Sequence, residues 1–147
     1  MPELSPKRKR QARITALQAI YAIEMEGSRP EETFQEMMQT TAQVPEKVKL
    51  YGKHLCSITL KNITAVDLLI KERLKNWDLD RLTLMDKLIL RVSISEMLFE
   101  DSVPPKVSIS EGVEIAKQFS TPDSSSFING VLDSVYNEKI KGKEKTV

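Results

Sequence analysis

Ser5-Pro6-Lys7-Arg8-Lys9-Arg10-Gln11-Ala12-Arg13-Ile14-Thr15-Ala16-Leu17-Gln18-Ala19-Ile20-Tyr21-Ala22-Ile23-Glu24-Met25-Glu26-Gly27 reads as one helix with both ends marked. Serine followed by proline is a start signal: the hydroxyl can accept from a first-turn amide, and proline lacks the N–H that would otherwise be orphaned there. Ala12, Ala16, Leu17, Ala19, Ile20 and Ile23 then give a wide apolar face until Gly27 ends the run, which predicts a helix over about 6–26.

The same signs recur downstream. Ser28 and Glu31 stand three apart around Pro30 as a capping box, and Phe34, Met37, Met38 and Thr41 follow at helical spacing as a second helix. Beyond Val44-Pro45, the residues Val48, Tyr51, Leu55 and Ile58 keep the spacing, and Val66, Leu69, Ile70 and Leu74 resume it after Asn62-Ile63-Thr64, as one kinked helix or two. Trp77-Asp78-Leu79-Asp80 reads as a turn anchored by Trp77, and Thr83 with Asp86 caps a helix carrying Met85, Leu88, Ile89, Val92 and Glu96 on one side. Two prolines make Asp101–Pro105 a loop. Ser108 and Glu111 read as a capping box opening a helix with Ile109, Val113, Ala116 and Phe119 buried. Asp123 or Ser124 then caps the last helix, with Phe127, Ile128, Val131, Leu132 and Val135 on its apolar stripe. Gly130 inside that helix costs about 1 kcal/mol relative to alanine, which predicts that something packs tightly against it.

Totals agree with an all-α chain. Aromatic residues make up 5% and there are five glycines, so a sheet has little to build on. With 147 residues, 40% of them apolar, the chain suffices for one compact domain or two tightly packed halves sharing a core. A net charge of +1 excludes a polycation that binds by bulk charge, so any nucleic-acid role must lie in how the charge is distributed. No apolar stretch approaches the roughly 20 residues needed to cross a bilayer, and no signal-type segment follows the basic start; a cytoplasmic protein is expected. One cysteine, Cys56, and one histidine, His54, provide neither a disulfide nor a zinc set. Without a glycine-rich phosphate loop or nucleophile elbow, the expectation is a protein that is not an enzyme and takes no cofactor. Residues 139–147 read as a flexible basic tail.

Function is signalled first by Lys7-Arg8-Lys9-Arg10 with Arg13. Cations in the first turns of a helix oppose its dipole at a few tenths of a kcal/mol each, and a phosphate backbone would offset this. Lys9 and Arg13 stand at i, i+4, and Arg10 and Arg13 at i, i+3, so they can follow consecutive phosphates; a solvated basic arm fits the same charges equally well. Gln18 and Tyr21, one turn on, offer an amide to read a base and a ring to stack on one, although tyrosine at helical spacing is more often core. Asp123-Ser124 before Phe127 is either a plain cap or a docking surface.

The order of these motifs resembles the NusB family of bacterial transcription antitermination factors from about Arg8 to Val135. The resemblance rests on Arg8–Arg13 running into Ala16-Leu17-Gln18-Ala19-Ile20-Tyr21, on Trp77–Leu82 with Asp86–Arg91 and Glu96, and on Val103–Glu111, Ala116-Lys117 and Asp123–Asp133. It implies about seven helices in two packed subdomains sharing one core, about 6–80 and about 81–138, together one domain over 1–138. It further implies binding of boxA-type single-stranded RNA together with the ribosomal protein NusE, in an RNA polymerase antitermination complex supporting processive transcription of ribosomal RNA operons. Carried over by position, Arg8, Lys9, Arg10, Arg13, Gln18, Tyr21 and Phe127 would contact RNA, and Asp86, Arg91 and Asp123 would face NusE. The free protein would be a monomer or weak homodimer. The chain departs from the family pattern at Gly52, where relatives usually carry a basic residue, and at Cys56-Ser57-Ile58. Two other readings fit: a NusB-like module associated with an RNA methyltransferase, which this chain's end at Val147 argues against, and a helical protein-interaction module with an idle arm.

Overall fold

The computed structural model describes residues 4–27, 32–33, 35–36, 44–74, 79 and 82–141. Within them run α1 (Pro6–Glu26), α2 (Glu46–Lys61), α3 (Ile63–Leu74), α4 (Leu84–Phe99), α5 (Pro105–Phe119) and α6 (Pro122–Lys139). Residues 32–33 and 35–36 are helical too, inside the second helix expected from sequence. That helix's capping box at Ser28 and Glu31, its Met37-Met38 pair, the Trp77-Asp78 turn and the end of the basic tail lie outside the described residues.

Local chemistry explains the ends that sequence placed well. Ser5 Oγ accepts from the Arg8 N–H at 3.2 Å, and Gly27 takes a left-handed φ of 65° that a side chain would strain. The Asn62 side-chain amide donates to the Ile58 carbonyl at 2.8 Å and its backbone leaves helical geometry, so α2 and α3 are two helices. Thr83 caps α4 by accepting from the Asp86 N–H.

α4 is the axis of the fold. It packs against α1, α2, α3, α5 and α6, and every residue from Leu88 to Met97 is buried. This corrects the one-sided apolar face expected for it: a helix surrounded by five others has no solvent side, so Ser93 and Ser95 are interior as well. Ser93 is small for a reason. A Cβ added at Gly112 of α5 would lie 2.6 Å from Ser93 Oγ and 3.1 Å from Leu132 Cδ1, so α4, α5 and α6 meet there without room for a methyl group.

The two C-terminal helices begin earlier than their sequence signals suggest. α5 starts at Pro105, so Ser108 is an interior first-turn residue and not a cap. Its buried face is Ser108, Ile109, Gly112, Ile115 and Ala116, turned away from the expected Val113–Phe119 edge because Ser108 and Gly112 serve interhelix contacts that apolar periodicity does not register. α6 starts at Pro122 with Thr121 as its cap, accepting from the Ser124 N–H at 3.3 Å. Gly130 is exposed with no atom within 4 Å of an added Cβ, which overturns the expectation of tight packing there. Gly52, by contrast, is buried on α2 with an added Cβ 3.2 Å from the Ala12 carbonyl of α1, so any side chain there meets the α1 backbone.

These two glycines predict opposite outcomes. Gly112→Ala should destabilise by about 1–3 kcal/mol through overpacking, whereas Gly130→Ala should stabilise by up to about 1 kcal/mol by removing backbone freedom from the unfolded chain. Urea unfolding midpoints compared at constant m-value will read both.

Candidate nucleic-acid interface

The cations at the start of α1 divide into two sets. Arg13 is 3% exposed: its Nε lies 2.9 Å from both carboxylate oxygens of Glu96, and its Nη1 donates to Glu111 at 3.2 Å. Arg10 forms a two-pronged pair with Glu111, Nε at 2.9 Å and Nη2 at 2.7 Å, while its side chain stays 42% exposed. Lys7, Arg8 and Lys9 have no ion pair among the described residues; Arg8 only donates to the Gln11 amide oxygen at 3.0 Å. Arg13 is therefore corrected from an RNA contact to an interior group, because its guanidinium is spent on two carboxylates and sealed from solvent. A sequence signal for this existed. Arg13, Ala16, Leu17 and Ile20 stand at i, i+3, i+4, i+7, which puts the arginine on the core stripe.

What holds Arg13 is a buried carboxylate on the axial helix. Glu96 also accepts from the Tyr51 hydroxyl of α2 at 2.6 Å and from the Ser108 hydroxyl of α5 at 2.8 Å. Burial, with Glu96 beside it, drives the Tyr51 phenol well above its ordinary range. At the rim, hydrogen bonding to Arg10 holds the Glu111 carboxyl below its usual value against partial burial, and Arg10 is raised in turn.

Gln18 and Tyr21 are both exposed on α1, so Tyr21 is not the core residue that its helical spacing more often signals. They line a hollow of about 260 Å³ with Ile14 and Leu17 of α1, Met85 of α4 and Phe119 of α5. Sequence reasoning missed Phe119, assigning it to the core; it ends α5 and leaves 42% of its surface in solvent.

The second set of expected contacts is less uniform. Asp123 is exposed in the first turn of α6 and shares a groove with Phe127, which is half-buried, and with Arg73, Leu74 and Ser124. Asp86 borders the same groove, yet its carboxylate is buried and accepts the hydroxyls of Ser120 at 2.7 Å and Ser124 at 2.8 Å. Arg91 is buried between Asp67 of α3, at 2.8 and 2.9 Å, and Glu24 of α1 at 3.0 Å. Its burial alone would lower the guanidinium's pKa, but the two carboxylates outweigh it and raise it. Both Asp86 and Arg91 are thus corrected to interior partners whose charged atoms are already engaged. His54, half-buried, pairs with Glu100 at 2.6 Å, and burial pushes the Cys56 thiol up to about 11, far from a reactive thiolate.

The family model described as "NusB family" matches residues 10–137. The chain belongs to the NusB family. It is 39% identical to the transcription antitermination protein NusB of Chloroherpeton thalassium over 135 residues, covering 91% of this chain and 64% of that relative, and so spans less than two thirds of its length. The NusB of Treponema denticola is 36% identical, with 88% of this chain and 96% of that protein covered. Among solved structures, the crystal structure of antitermination factors NusB and NusE in complex with dsRNA contains a chain matching with a TM-score of 0.80 at 26% identity, covering 90% of this chain and 98% of that one. The all-helical NusB fold is therefore the fold of this chain. Among the described residues no helix is long and apolar enough to cross a membrane.

The Arg10–Glu111 clamp gives this NusB fold an acid-sensitive joint. A carboxyl whose folded pKa is depressed contributes stability above its unfolded value and loses it as pH falls through the folded one. Chemical denaturation of wild type should therefore show an acid loss that begins in the ordinary carboxylate range and continues below it as pH falls through the depressed folded value, and that Glu111→Gln makes shallower; parallel acid limbs would refute the assignment.

Proposed function

We propose that this NusB-family chain is a transcription antitermination factor that holds boxA-type single-stranded RNA along α1, in company with the ribosomal protein NusE, as part of an RNA polymerase antitermination complex that supports processive transcription of ribosomal RNA operons. The observation carrying this reading is the division of the basic cluster: Arg10 and Arg13 are paired with interior or rim carboxylates, while Lys7, Arg8 and Lys9 have no carboxylate partner among the described residues. Three uncompensated cations at a helix start oppose the dipole, and an anion bound there would relieve that cost. Gln18, Tyr21 and Phe127 complete the RNA side of the proposal, as one amide and two rings with accessible surface. The relative solved with NusE and dsRNA supports both partner classes.

In this reading Arg13 positions α1 instead of touching RNA, and Arg10, half exposed, is shared between Glu111 and the ligand. Asp123 is the carboxylate offered to NusE, Asp86 fixes the segment that carries it, and Arg91 binds α1 and α3 to α4. The pair of proteins would hold RNA more tightly than either alone, by the roughly 5–150-fold typical of coupled sites.

Anisotropy titrations of boxA-type RNA, scrambled RNA and a duplex form, with and without NusE over a salt series, test this directly. Log affinity should fall steeply with log salt, and K7Q/R8Q/K9Q should reduce that slope by about 2, at roughly 0.7 per phosphate contact on single strands. A flat salt profile, or scrambled RNA bound as tightly as boxA-type RNA in the presence of NusE, would reject it. Asp123→Asn should weaken NusE binding several-fold while leaving the RNA salt slope unchanged; an unchanged NusE affinity would remove Asp123 from the interface.

A further inference from the structure

We infer that Glu111 is a built-in rival to RNA for Arg10: in the free protein it fills the guanidinium edge that a phosphate would take, and RNA engages fully only by displacing it onto Arg13. This rests on the RNA reading above and adds to it an internal latch that lowers the grip of α1 on polyanions until the right one arrives.

The clamp has the geometry of a ligand already bound. Arg10 turns its Nε and Nη2 edge to the two oxygens of Glu111 at 2.9 and 2.7 Å, the two-pronged fit by which a guanidinium also takes a phosphate. While that edge is filled, the cation is on the surface without being available there. Access to it is one-sided. The Arg10 side chain keeps 42% of its surface in water and the Glu111 side chain 14%, so an anion can approach the arginine from solvent while the carboxylate stands behind it. Exposed Lys7 lies three residues before Arg10 and shares its side of the helix, so a strand anchored at Lys7 presents its next phosphate close to the clamp.

Opening the clamp does not strand Glu111. Its Oε1 also accepts from Arg13 Nη1 at 3.2 Å, and the adjacent Nη2 of Arg13 is a buried donor with no acceptor among the described residues. Nη1 and Nη2 form the end of one planar fork, so a carboxylate that lets go of Arg10 can close on both and turn a single bond into a pair. A buried donor left unmet is costly, and Glu111 is the acceptor already beside it. Two arrangements follow. In one, Glu111 is divided between two arginines and Arg13 Nη2 is unmet; in the other, Glu111 belongs wholly to Arg13 and Arg10 faces its ligand. Glu96, itself fixed by Tyr51 and Ser108, holds Arg13 Nε in place for either.

Apparent affinity scales with the population of the binding-competent arrangement, so the closed latch weakens RNA binding by the free protein. A lone anion gains little at Arg10 that Glu111 does not already supply. A strand held at Lys7 and Arg8 instead meets Arg10 at high local concentration and displaces the carboxylate.

Anisotropy titrations of boxA-type RNA against the full chain, paired with urea unfolding, test the latch. Glu111→Gln should bind RNA about five-fold more tightly than wild type, the upper end for release of a half-exposed ion pair, while its urea midpoint falls. A purely structural carboxylate would not move the two readouts in opposite directions. Arg10→Gln/Glu111→Gln should show no gain over Arg10→Gln, and Glu114→Gln, which removes an exposed charge one turn along α5 that attracts Arg10 through space, should change affinity by less than about two-fold. If Glu111→Gln fails to fold, the wild-type Arg10 Nε–H resonance, identified by its absence from Arg10→Gln, must shift on adding RNA while that of Arg13 stays in place. RNA affinity unchanged or weaker in Glu111→Gln, a gain that persists without Arg10 or is matched by Glu114→Gln, or an Arg10 resonance unmoved by saturating RNA overturns the latch and leaves the RNA reading standing. A wild-type protein that binds no RNA with or without NusE overturns both.

Discussion

One carboxylate joins four of the helices. Glu96 on α4 is almost wholly buried and receives Arg13 from α1, Tyr51 from α2 and Ser108 from α5. A buried carboxylate is tolerable only when its oxygens are occupied by donors, so this group acts as a condition on the assembly: all three partners must arrive for its desolvation to be offset. The geometry fixes the rotation of α1 about its own axis. Arg13 must face inward, and the residues on the opposite arc must face water.

That rotation has a direct effect on the candidate interface. With Arg13 drawn to Glu96 and Glu111, and Arg10 clamped at the rim, Lys7 and Arg8 are left as the outward charge, with Lys9 half-buried beside them and without an ion pair among the described residues. Further along the same helix the rotation brings Gln18 and Tyr21 to the edge where α5 ends in Phe119. Interior ion pairing and outward positive surface are two results of one orientation, and the five clustered cations are not interchangeable.

The parts of this legible in sequence were those governed by neighbours in the chain. Ser5-Pro6 and Gly27 set the bounds of α1 and Thr83 capped α4, because each acts within a turn of its own position, whereas the stretch at Asn62 left one kinked helix or two open and the Asn62 side chain decides for two. What sequence misassigned depends on partners far away. Glu96 lies 83 residues beyond Arg13, and nothing near Arg13 in the chain announces it, although the arginine's place on an apolar stripe was a usable clue. Ser108 resembled a cap and is a ligand of Glu96; Gly130 looked constrained and is open, while Gly112 is the glycine that close packing requires. Asp86 and Arg91 sit in motifs of the resemblance, and motif position alone does not distinguish a charge kept for a partner protein from one consumed inside.

The short connection between α5 and α6 has one more implication. Ser120 and Ser124 flank it, and both hydroxyls are held by Asp86, whose backbone in turn is capped by Thr83, so the starts of α4 and α6 are bolted to the same carboxylate. Asp123 projects from that junction. A partner docking on Asp123 meets ground that is already rigid and sacrifices little backbone motion on association, so its residence time would be governed by the quality of the contacts made and not by ordering of the surface.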